Sequence, residues 1–273
     1  MNAADRIKEY LRPLCSAGIA LAFSGGTDSA LLLAVLHDLH KERPFPAAAF
    51  YAQSVFQKKT DISDVHSLCA LYDTELISFQ TNPLSLPAVK NNRSDRCYWC
   101  KKDIFSRLIN IAREKGLKTV IDGTNADDLN IYRPGLKALK ELGVLSPLAE
   151  LGISKKEIRR TAEELGLKNA AKPSAPCLAT RFEYDTELSF EKINKAALGE
   201  DFLQKILPHA GNIRLRCHND VARIETDPDS FTAVLQHAEK ITGYLKKLGF
   251  SYITLDLEGF RSGSMDIFKT KET

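Results

Sequence analysis

The chain of 273 residues lacks several features that would assign a protein to a class directly. No apolar run reaches the length of a bilayer span, so the sequence predicts no contact with a membrane. Its first residues, 1–6, do not resemble a secretory signal, and we therefore expect a cytoplasmic protein. With 38 basic against 35 acidic residues, the net charge is only +3. This near balance gives no electrostatic reason to expect a nucleic-acid partner.

Internal repeats and low-complexity segments are also missing, whereas 44% of the residues are hydrophobic. A chain of this length and composition can form one large domain or two ordinary ones. It contains six cysteines. Because cytoplasmic thiols stay reduced, we expect these cysteines to be thiols, metal ligands or catalysts, and not structural disulfides.

Strand and helix patterns alternate through the first half of the chain. Short apolar runs predict strands at Ile19–Phe23, Ala47–Tyr51, Glu75–Phe79 and Thr119–Asp122. Helical stripes of apolar residues separate these runs. The alternation predicts an α/β fold, a parallel sheet with helices on both faces, in a first domain that spans residues 1–182. Ligands of such sheets bind beyond the carboxyl ends of the strands.

The remaining residues, 183–273, follow a stretch rich in proline and have a different pattern. Their periodicity predicts a helix at about 190–207, a hairpin of strands at 212–217 and 221–226, a helix from Asp227, and a strand at 252–257. This pattern indicates a small α+β domain. We expect the domain to cap the site or to pair subunits in a homo-oligomer.

One junction in the first domain carries the strongest chemical signal. The sequence Ser24-Gly25-Gly26-Thr27-Asp28-Ser29 stands between the first predicted strand and an apolar helical run. Glycines let backbone N–H groups approach an anion, and the helix start adds its positive dipole end. The loop has no lysine and does not fit the Walker A spacing. Gly123 and Asn125 follow another predicted strand, so we expect them at the same edge of the sheet.

This loop resembles the pyrophosphate loop, or PP-loop, of the ATP pyrophosphatases, which have a fold like that of the adenine nucleotide alpha hydrolases. Those enzymes split ATP between the α- and β-phosphates. The resemblance implies that the loop from Ser24 to Ser29 binds ATP together with Gly123 and Asn125. It also implies that Asp28 helps to hold Mg²⁺ against the pyrophosphate. A simple glycine turn between a strand and a helix is the alternative interpretation.

Three of the cysteines are candidates for metal binding. Cys97 and Cys100 form a CxxC pair after a polar, irregular stretch, just before a predicted helix, and thiolates at this spacing bind zinc or iron–sulfur clusters, or exchange disulfides. Cys177 lies between a proline and Arg181, away from any apolar stripe. Three such cysteines fit a [4Fe–4S] cluster with one open iron, and zinc is the competing interpretation. The other cysteines fit buried positions: Cys15, Cys69 and Cys217.

Several segments together resemble one family. They are Ser24–Ser29, Arg96–Lys101, Asp122–Asp128, Arg133–Gly135, Ser146–Leu148, Lys172–Arg181, Arg214–His218 and Ala222–Glu225. In this order and spacing they are similar to the ATP-dependent pyridinium-3,5-biscarboxylate mononucleotide sulfur transferases, the LarE family. These enzymes help to build the nickel-pincer nucleotide cofactor of lactate racemase. The resemblance implies that ATP adenylates a substrate carboxylate, and that a sulfur nucleophile then displaces AMP to give a thiocarboxylate.

The family resemblance implies two sources of sulfur. One branch sacrifices the sulfur of a single cysteine at the position of Cys177 and ends as dehydroalanine. The other branch binds [4Fe–4S] through three cysteines, and the open iron carries a sulfide. Because this chain has Cys97, Cys100 and Cys177, it resembles the second branch, with ATP, Mg²⁺ and the cluster as cofactors. The implied partners are the mononucleotide substrate, ATP, and a donor of sulfide or cysteine-derived sulfur.

The family resemblance also implies a site for the substrate phosphate. Arg214 and Arg216 stand two apart in a predicted strand and therefore share a face, where two guanidinium groups suit a phosphate. Arg181 can serve the same anion or the adenylate. Salt bridges to acids such as Glu225 are the alternative interpretation.

Three other functions share some of these features. A tRNA-thiolating PP-loop enzyme shares the loop, but it usually needs a basic surface or an added RNA-binding domain. An amide-forming synthetase has no need of the three cysteines. A nucleotide-binding or cluster-carrier module leaves unexplained why an ATP-splitting loop and a thiol set occur together.

Overall fold

The computed structural model of the chain describes residues 2–57, 59–130, 133–167, 170 and 176–265. The contacts between Cα atoms divide the chain into two compact units. The first unit contains Met1–Leu86 and Asp95–Ser174, and the second contains Pro87–Ser94 and Ala175–Thr273. None of the helices in the described part of the chain is both long and apolar enough to cross a membrane.

The first unit is built on a parallel sheet of four strands. The strands are β1 (Ile19–Ala22), β2 (Ala47–Gln53), β3 (Glu75–Gln80) and β4 (Thr119–Ile121). Their order across the sheet is β3-β2-β1-β4, and each neighbouring pair runs parallel. In the register, Ile19 of β1 lies opposite Ala47 on one side and Thr119 on the other. The predicted α/β fold is therefore confirmed.

Helices of the first unit flank this sheet. They are α1 (Ala3–Leu11), α2 (Thr27–Glu42), α3 (Lys59–Leu71), α5 (Arg96–Glu114), α6 (Pro134–Glu141), α7 (Pro147–Glu150) and α8 (Lys155–Glu164). The short helix α4 (Pro87–Lys90) belongs to the second unit. Most of these helices start with proline at the first turn or with a polar cap, such as Ser154, whose side chain accepts a hydrogen bond from the Glu157 N–H.

Two apolar layers, one on each face of the sheet, form the core of this unit. Leu21 belongs to the layer that contains residues of α1, α2 and α8, whereas Ala20 belongs to the layer that contains residues of α5 and α6. Because successive side chains of a strand point to opposite faces, the buried run of β1 supplies both layers. Because both faces of β1 are covered, its sequence is a continuous apolar run, which is typical of a central parallel strand.

The second unit combines helices with a mixed sheet of three strands. Its elements after α4 are α9 (Phe190–Ile206), β5 (Ile213–His218), β6 (Val221–Thr226), α10 (Phe231–Gln236), α11 (Ala238–Lys247) and β7 (Tyr252–Leu255). Strands β5 and β6 form the predicted antiparallel hairpin, and β7 joins β6 in parallel. Asn219 takes a positive φ of 54° in the hairpin turn, a conformation that asparagine tolerates well.

The helix predicted after Asp227 differs from the structure. A 3₁₀ turn at Pro228–Ser230 comes first, and the helix is then divided at His237, which takes φ −102° and ψ 14°. The apolar stripe on which the prediction rests crosses this break, with Phe231, Val234 and Leu235 before it and Ala238 and Ile241 after it. Val234 and Ile241 are buried, whereas Leu235 is 67% exposed. Val234 and Leu235 are adjacent in α10 and point about 100° apart, so the stripe does not form one buried face.

Residues 87–94 join the second unit through a buried asparagine, which sequence patterns did not indicate. The Asn92 Nδ2 atom donates hydrogen bonds to the carbonyl oxygens of Phe182 at 3.2 Å and Glu183 at 2.7 Å. The Leu188 N–H also donates to the Lys90 carbonyl oxygen at 2.7 Å. These long-range bonds hold a segment that stands about 90 residues earlier in the chain.

Two helical glycines of the second unit test its packing. A Cβ at Gly199 in α9 would lie 2.3 Å from the Cδ2 atom of Leu215, a fully buried residue of β5, whereas a Cβ at Gly243 in α11 meets nothing within 4 Å. We expect Gly199→Ala to lower the free energy of unfolding by about 1–3 kcal/mol, because the buried side chain of Leu215 must shift within a packed core. Gly243→Ala should raise it by about 0.5–1 kcal/mol through helix propensity. Urea unfolding of both variants measures the difference, and equal effects would contradict this packing.

Candidate functional site

The glycine loop joins the central strand β1 to the N-terminus of α2. Gly25 has a φ of 73°, and a Cβ there would lie 3.0 Å from the Cγ2 atom of Val65. Both observations explain why glycine is required at this position. Gly26 occupies the N-cap of α2 and has no side chain with which to cap the helix. The first turn of a helix presents N–H groups without intrahelical partners, so this edge of the sheet suits an anion.

The two serines of the loop bond to each other and to the loop backbone. Their Oγ atoms are 3.2 Å apart, the Ser29 hydroxyl donates to the Gly26 carbonyl oxygen at 3.1 Å, and the Ser24 N–H donates to Ser29 Oγ at 3.3 Å. The Gly26 N–H donates to Ser24 Oγ at 3.3 Å. These hydroxyls therefore stabilise the conformation of the loop. Thr27 and Ser29 are buried, whereas Ser24 is exposed.

The segment after β4 lies against the glycine loop at the carboxyl edge of the sheet. A Cβ at Gly123 would lie 3.1 Å from the Ser29 backbone nitrogen and 3.4 Å from the Cβ atom of Asp28. Only a residue without a side chain allows this approach of two backbones. Asn125 then donates from Nδ2 to Asp28 Oδ2 at 3.3 Å. Gly123 and Asn125 therefore meet the loop directly.

Asp28 also has a cationic partner that the sequence analysis missed. The Nζ atom of Lys155, at the start of α8, forms a hydrogen bond and an ion pair with Asp28 Oδ1. The side chains of both residues are only partly exposed, at 32% for Lys155 and 22% for Asp28. No short-range signal reveals this contact, since 127 residues separate the partners.

Asp122 forms a second polar centre that the sequence analysis did not identify, directly before Gly123. Its carboxylate is buried and accepts hydroxyl hydrogen bonds from Thr124 and Ser146, each at 2.6 Å. Lys101 Nζ lies 3.9 Å from its Oδ2 atom. A buried carboxylate is stable only with such donors and a nearby cation. These bonds fix the course of the chain where it reaches the glycine loop.

The CxxC pair lies inside α5 and not before it, which corrects the sequence analysis. The helix begins at Arg96, so Cys97 and Cys100 occupy its first turns. Residues three apart on a helix are neighbours on one face. Cys97 is exposed and Cys100 is half-buried, so both thiols belong to the accessible part of the first unit. The stretch before the helix carries no apolar stripe, which explains why the periodicity placed the start later.

The remaining four cysteines differ in how far they are exposed to solvent. Burial raises the pKa of the Cys69 thiol to about 11 and that of Cys217 to about 12, as expected for inert core thiols. Cys15 is half-buried, and burial also raises the pKa of its thiol. Cys177 is exposed, in the second unit, directly before the 3₁₀ turn Leu178–Arg181. Within the described part of the chain, no group of three or more His, Cys, Asp or Glu side chains is placed to hold a metal ion.

Arg181 is held in the interior of the second unit by a carboxylate. Its Nε and Nη2 atoms donate to the two oxygens of Glu200 at 2.6 Å and 3.0 Å, and both side chains are about 2% exposed or less. Its Nη1 atom donates to the Thr180 hydroxyl at 2.8 Å and to the Cys177 carbonyl oxygen at 3.4 Å. The bidentate pair therefore fixes the backbone that carries Cys177.

Arg214 and Arg216 are both buried on β5, with different partners. Arg216 donates to Glu225 Oε2 from Nε at 2.9 Å and to the Thr180 carbonyl oxygen from Nη1 at 2.8 Å. Arg214 lies over the ring of Phe260, with 5.1 Å between the guanidinium carbon and the ring centre. Burial, followed by the repulsion of Arg181, lowers the pKa of Arg214 to about 10. The residue remains a cation at neutral pH, in a place where cations crowd together.

These features define an α/β protein in which a glycine loop and a helix N-terminus meet at the carboxyl edge of a parallel sheet. Comparison with known proteins gives the family. A pyridinium-3,5-bisthiocarboxylic acid mononucleotide synthase of Lactiplantibacillus plantarum is 36% identical over 255 residues, which cover 93% of this chain and 90% of that protein. The chain therefore belongs to the LarE family of these synthases.

Two further relatives have no described activity. An uncharacterized protein of Synechocystis is 36% identical over 253 residues, 92% of each chain. An uncharacterized protein of Methanocaldococcus jannaschii is 32% identical over 244 residues, 89% of this chain and 91% of that protein. No protein-family model matches the chain. Each relative spans nearly its whole length in the alignment, so the likeness extends over both units.

Proposed function

We propose that the chain is an ATP-dependent sulfur transferase acting on pyridinium-3,5-biscarboxylic acid mononucleotide. A substrate carboxylate oxygen attacks the α-phosphorus of ATP, the bond to the β-phosphate breaks, and pyrophosphate leaves. A sulfur nucleophile then attacks the carbonyl carbon of the adenylate, and AMP leaves to give the thiocarboxylate. Membership of the LarE family supports this reaction, because the relative from Lactiplantibacillus plantarum is named for the bisthiocarboxylic acid product.

The observation that carries the proposal is the meeting of Asp28, Gly123 and the glycine loop. Backbone N–H groups at the start of α2 can stabilise the charge that develops on the leaving pyrophosphate. Gly123 lets the chain after β4 approach that N-terminus, where a Cβ would lie 3.1 Å from the Ser29 nitrogen. In this proposal the loop from Ser24 to Ser29, Gly123 and Asn125 bind ATP.

The donor set around Asp28 fits Mg²⁺. Magnesium in nucleotide sites is usually held by one or two carboxylates together with the phosphates and water. Asp28 offers one partly exposed carboxylate at the N-terminus of α2. The ion, when bound, would neutralise charge on the pyrophosphate. Asp28 would orient it, and Asn125 would hold the second oxygen of Asp28 through its bond at 3.3 Å.

Replacement of Asp28 tests adenylation. We expect Asp28→Asn to reduce the formation of AMP and pyrophosphate by about 100-fold or more, because a group that stabilises charge in the transition state is lost. The measurement follows both products from ATP in the presence of the carboxylated mononucleotide. Asp38→Asn, on the same helix but in a surface ion pair with Lys8, is the matched control and should retain wild-type activity. Release of ADP and phosphate by the wild type would refute the assignment.

For the substrate phosphate we propose Arg214, with Arg216 and Arg181 around it. Burial, followed by the repulsion of Arg181, lowers the pKa of Arg214, and a bound phosphate would stabilise its charged form. Arg216 and Arg181 each already bind a buried carboxylate in a bidentate or near-bidentate manner. We therefore assign to these two the role of fixing the pocket. We assign the direct contact with phosphate to Arg214, which lies two residues from Arg216 on the same face of β5.

The variant Arg214→Ala tests whether this residue binds the mononucleotide and not ATP. We expect it to weaken binding of the mononucleotide by about tenfold to 100-fold, the effect of losing a hydrogen bond between charged groups. Affinity for ATP should stay within about twofold of wild type. Isothermal titration with each ligand makes the comparison. Equal losses for both ligands would place Arg214 at the ATP site or in the fold, and no loss for either would remove it from binding.

The proposal also includes a source for the transferred sulfur. Cys97 and Cys177 are exposed and Cys100 is half-buried, so none of the three is a core thiol. Three accessible thiols suit a [4Fe–4S] cluster with one open iron, which would supply a replaceable sulfide. We propose this source over sacrifice of the Cys177 sulfur, because a spent side chain cannot be reloaded.

Iron analysis of cysteine variants tests the source. Protein purified without oxygen should hold about four irons per chain, and Cys97→Ala, Cys100→Ala and Cys177→Ala should each lose most of them. Cys69→Ala, which removes a buried thiol, is the control and should keep the iron. A full cluster in Cys97→Ala would show that the ligand set is wrong. Dehydroalanine at position 177 after turnover, seen by mass spectrometry, would establish the sacrificial route.

A further inference from the structure

Lys155, from α8, brings a positive charge to the glycine loop. The loop itself contains no lysine, unlike a Walker A loop. In the structure the Lys155 ammonium lies on Asp28 Oδ1, at the carboxylate that we propose for Mg²⁺. The charge of an ammonium and that of a divalent cation compete for the same oxygen.

The backbone of Lys155 is anchored independently of its side chain. Its N–H donates to Asp127 Oδ2 at 2.8 Å, and Ser154 caps the same helix by accepting from the Glu157 N–H. The side chain then extends from the first turn of α8 towards Asp28. A lysine is a compact charge on a flexible stem of four carbons, so it can exchange one anionic partner for another without movement of the helix.

We infer that Lys155 is an exchangeable counter-ion: it neutralises Asp28 in the empty site and moves to the pyrophosphate moiety of ATP when Mg²⁺ takes its place. This inference deepens the proposed function and rests on ATP binding at the loop. Lys155 then supplies the phosphate contact that a Walker lysine makes in other loops. In the empty site it also prevents an uncompensated carboxylate from standing at the loop.

The alternative is a permanent ion pair that only joins α8 to α2. The two interpretations predict opposite changes in divalent-ion affinity when Lys155 is removed. If Lys155 exchanges, its removal strengthens divalent-ion binding at Asp28 in the empty site, because a competitor is lost, and weakens pyrophosphate binding. A permanent structural pair predicts parallel losses in both, together with lower stability.

The experiment uses Lys155→Met, which keeps the length of the stem, in the full chain. Mn²⁺ binding without nucleotide is followed by electron paramagnetic resonance, and pyrophosphate and AMP binding by titration calorimetry in the presence of Mg²⁺. We expect Mn²⁺ to bind several-fold more tightly, pyrophosphate about tenfold more weakly, and AMP as in the wild type. Lys156→Met, the exposed neighbour, is the matched control and should change none of these. Asp28→Asn should remove the Mn²⁺ site in both backgrounds.

The outcomes separate this inference from the proposed function. If wild-type protein binds ATP and pyrophosphate but Lys155→Met binds pyrophosphate equally well, the exchange is refuted and the proposed function stands. If Lys155→Met binds Mn²⁺ more weakly and melts at a lower temperature, the pair is permanent. If wild-type protein binds neither ATP nor pyrophosphate, both the exchange and the ATP site are wrong.

Discussion

The approach of β4 to the N-terminus of α2 is the constraint on which the candidate site depends. A Cβ at Gly123 would lie 3.1 Å from the Ser29 nitrogen, so the strand end and the loop meet backbone against backbone. Asp122, one residue earlier, is buried and bonded by two hydroxyls, and Asn125, two residues later, reaches Asp28. The parallel sheet brings these residues together, because neighbouring strands end at the same edge.

Charge in the two units is organised in different ways. In the first unit, Asp28 and Asp122 are acidic centres at the carboxyl edge of the sheet, each near a lysine from a distant helix. In the second unit, buried arginines stand against Glu200 and Glu225. A buried ion pair contributes little net stability but fixes geometry strongly when its partners are fully bonded.

Local patterns predicted most of the secondary structure. The boundaries of β6 match the prediction, and those of β1 to β4 differ from it by one or two residues. Short runs of apolar residues were the signal for these strands. The start of α5 and the break at His237 were not predicted. Polar residues precede the apolar stripe of α5, and an apolar stripe continues across His237, so periodicity gave no signal at either place.

The sequence by itself determined the glycine loop, the polar segment that follows β4, and the family to which the chain belongs. Each of these can be recognised from short runs of consecutive residues. Tertiary structure alone decided that Lys155 lies on Asp28, that Ser146 bonds to Asp122, and that Arg216 and Arg214 have different partners. These contacts join residues that are far apart in the chain or that share one strand face. Spacing along a sequence fixes the face of a side chain, whereas its partner depends on which other element packs there.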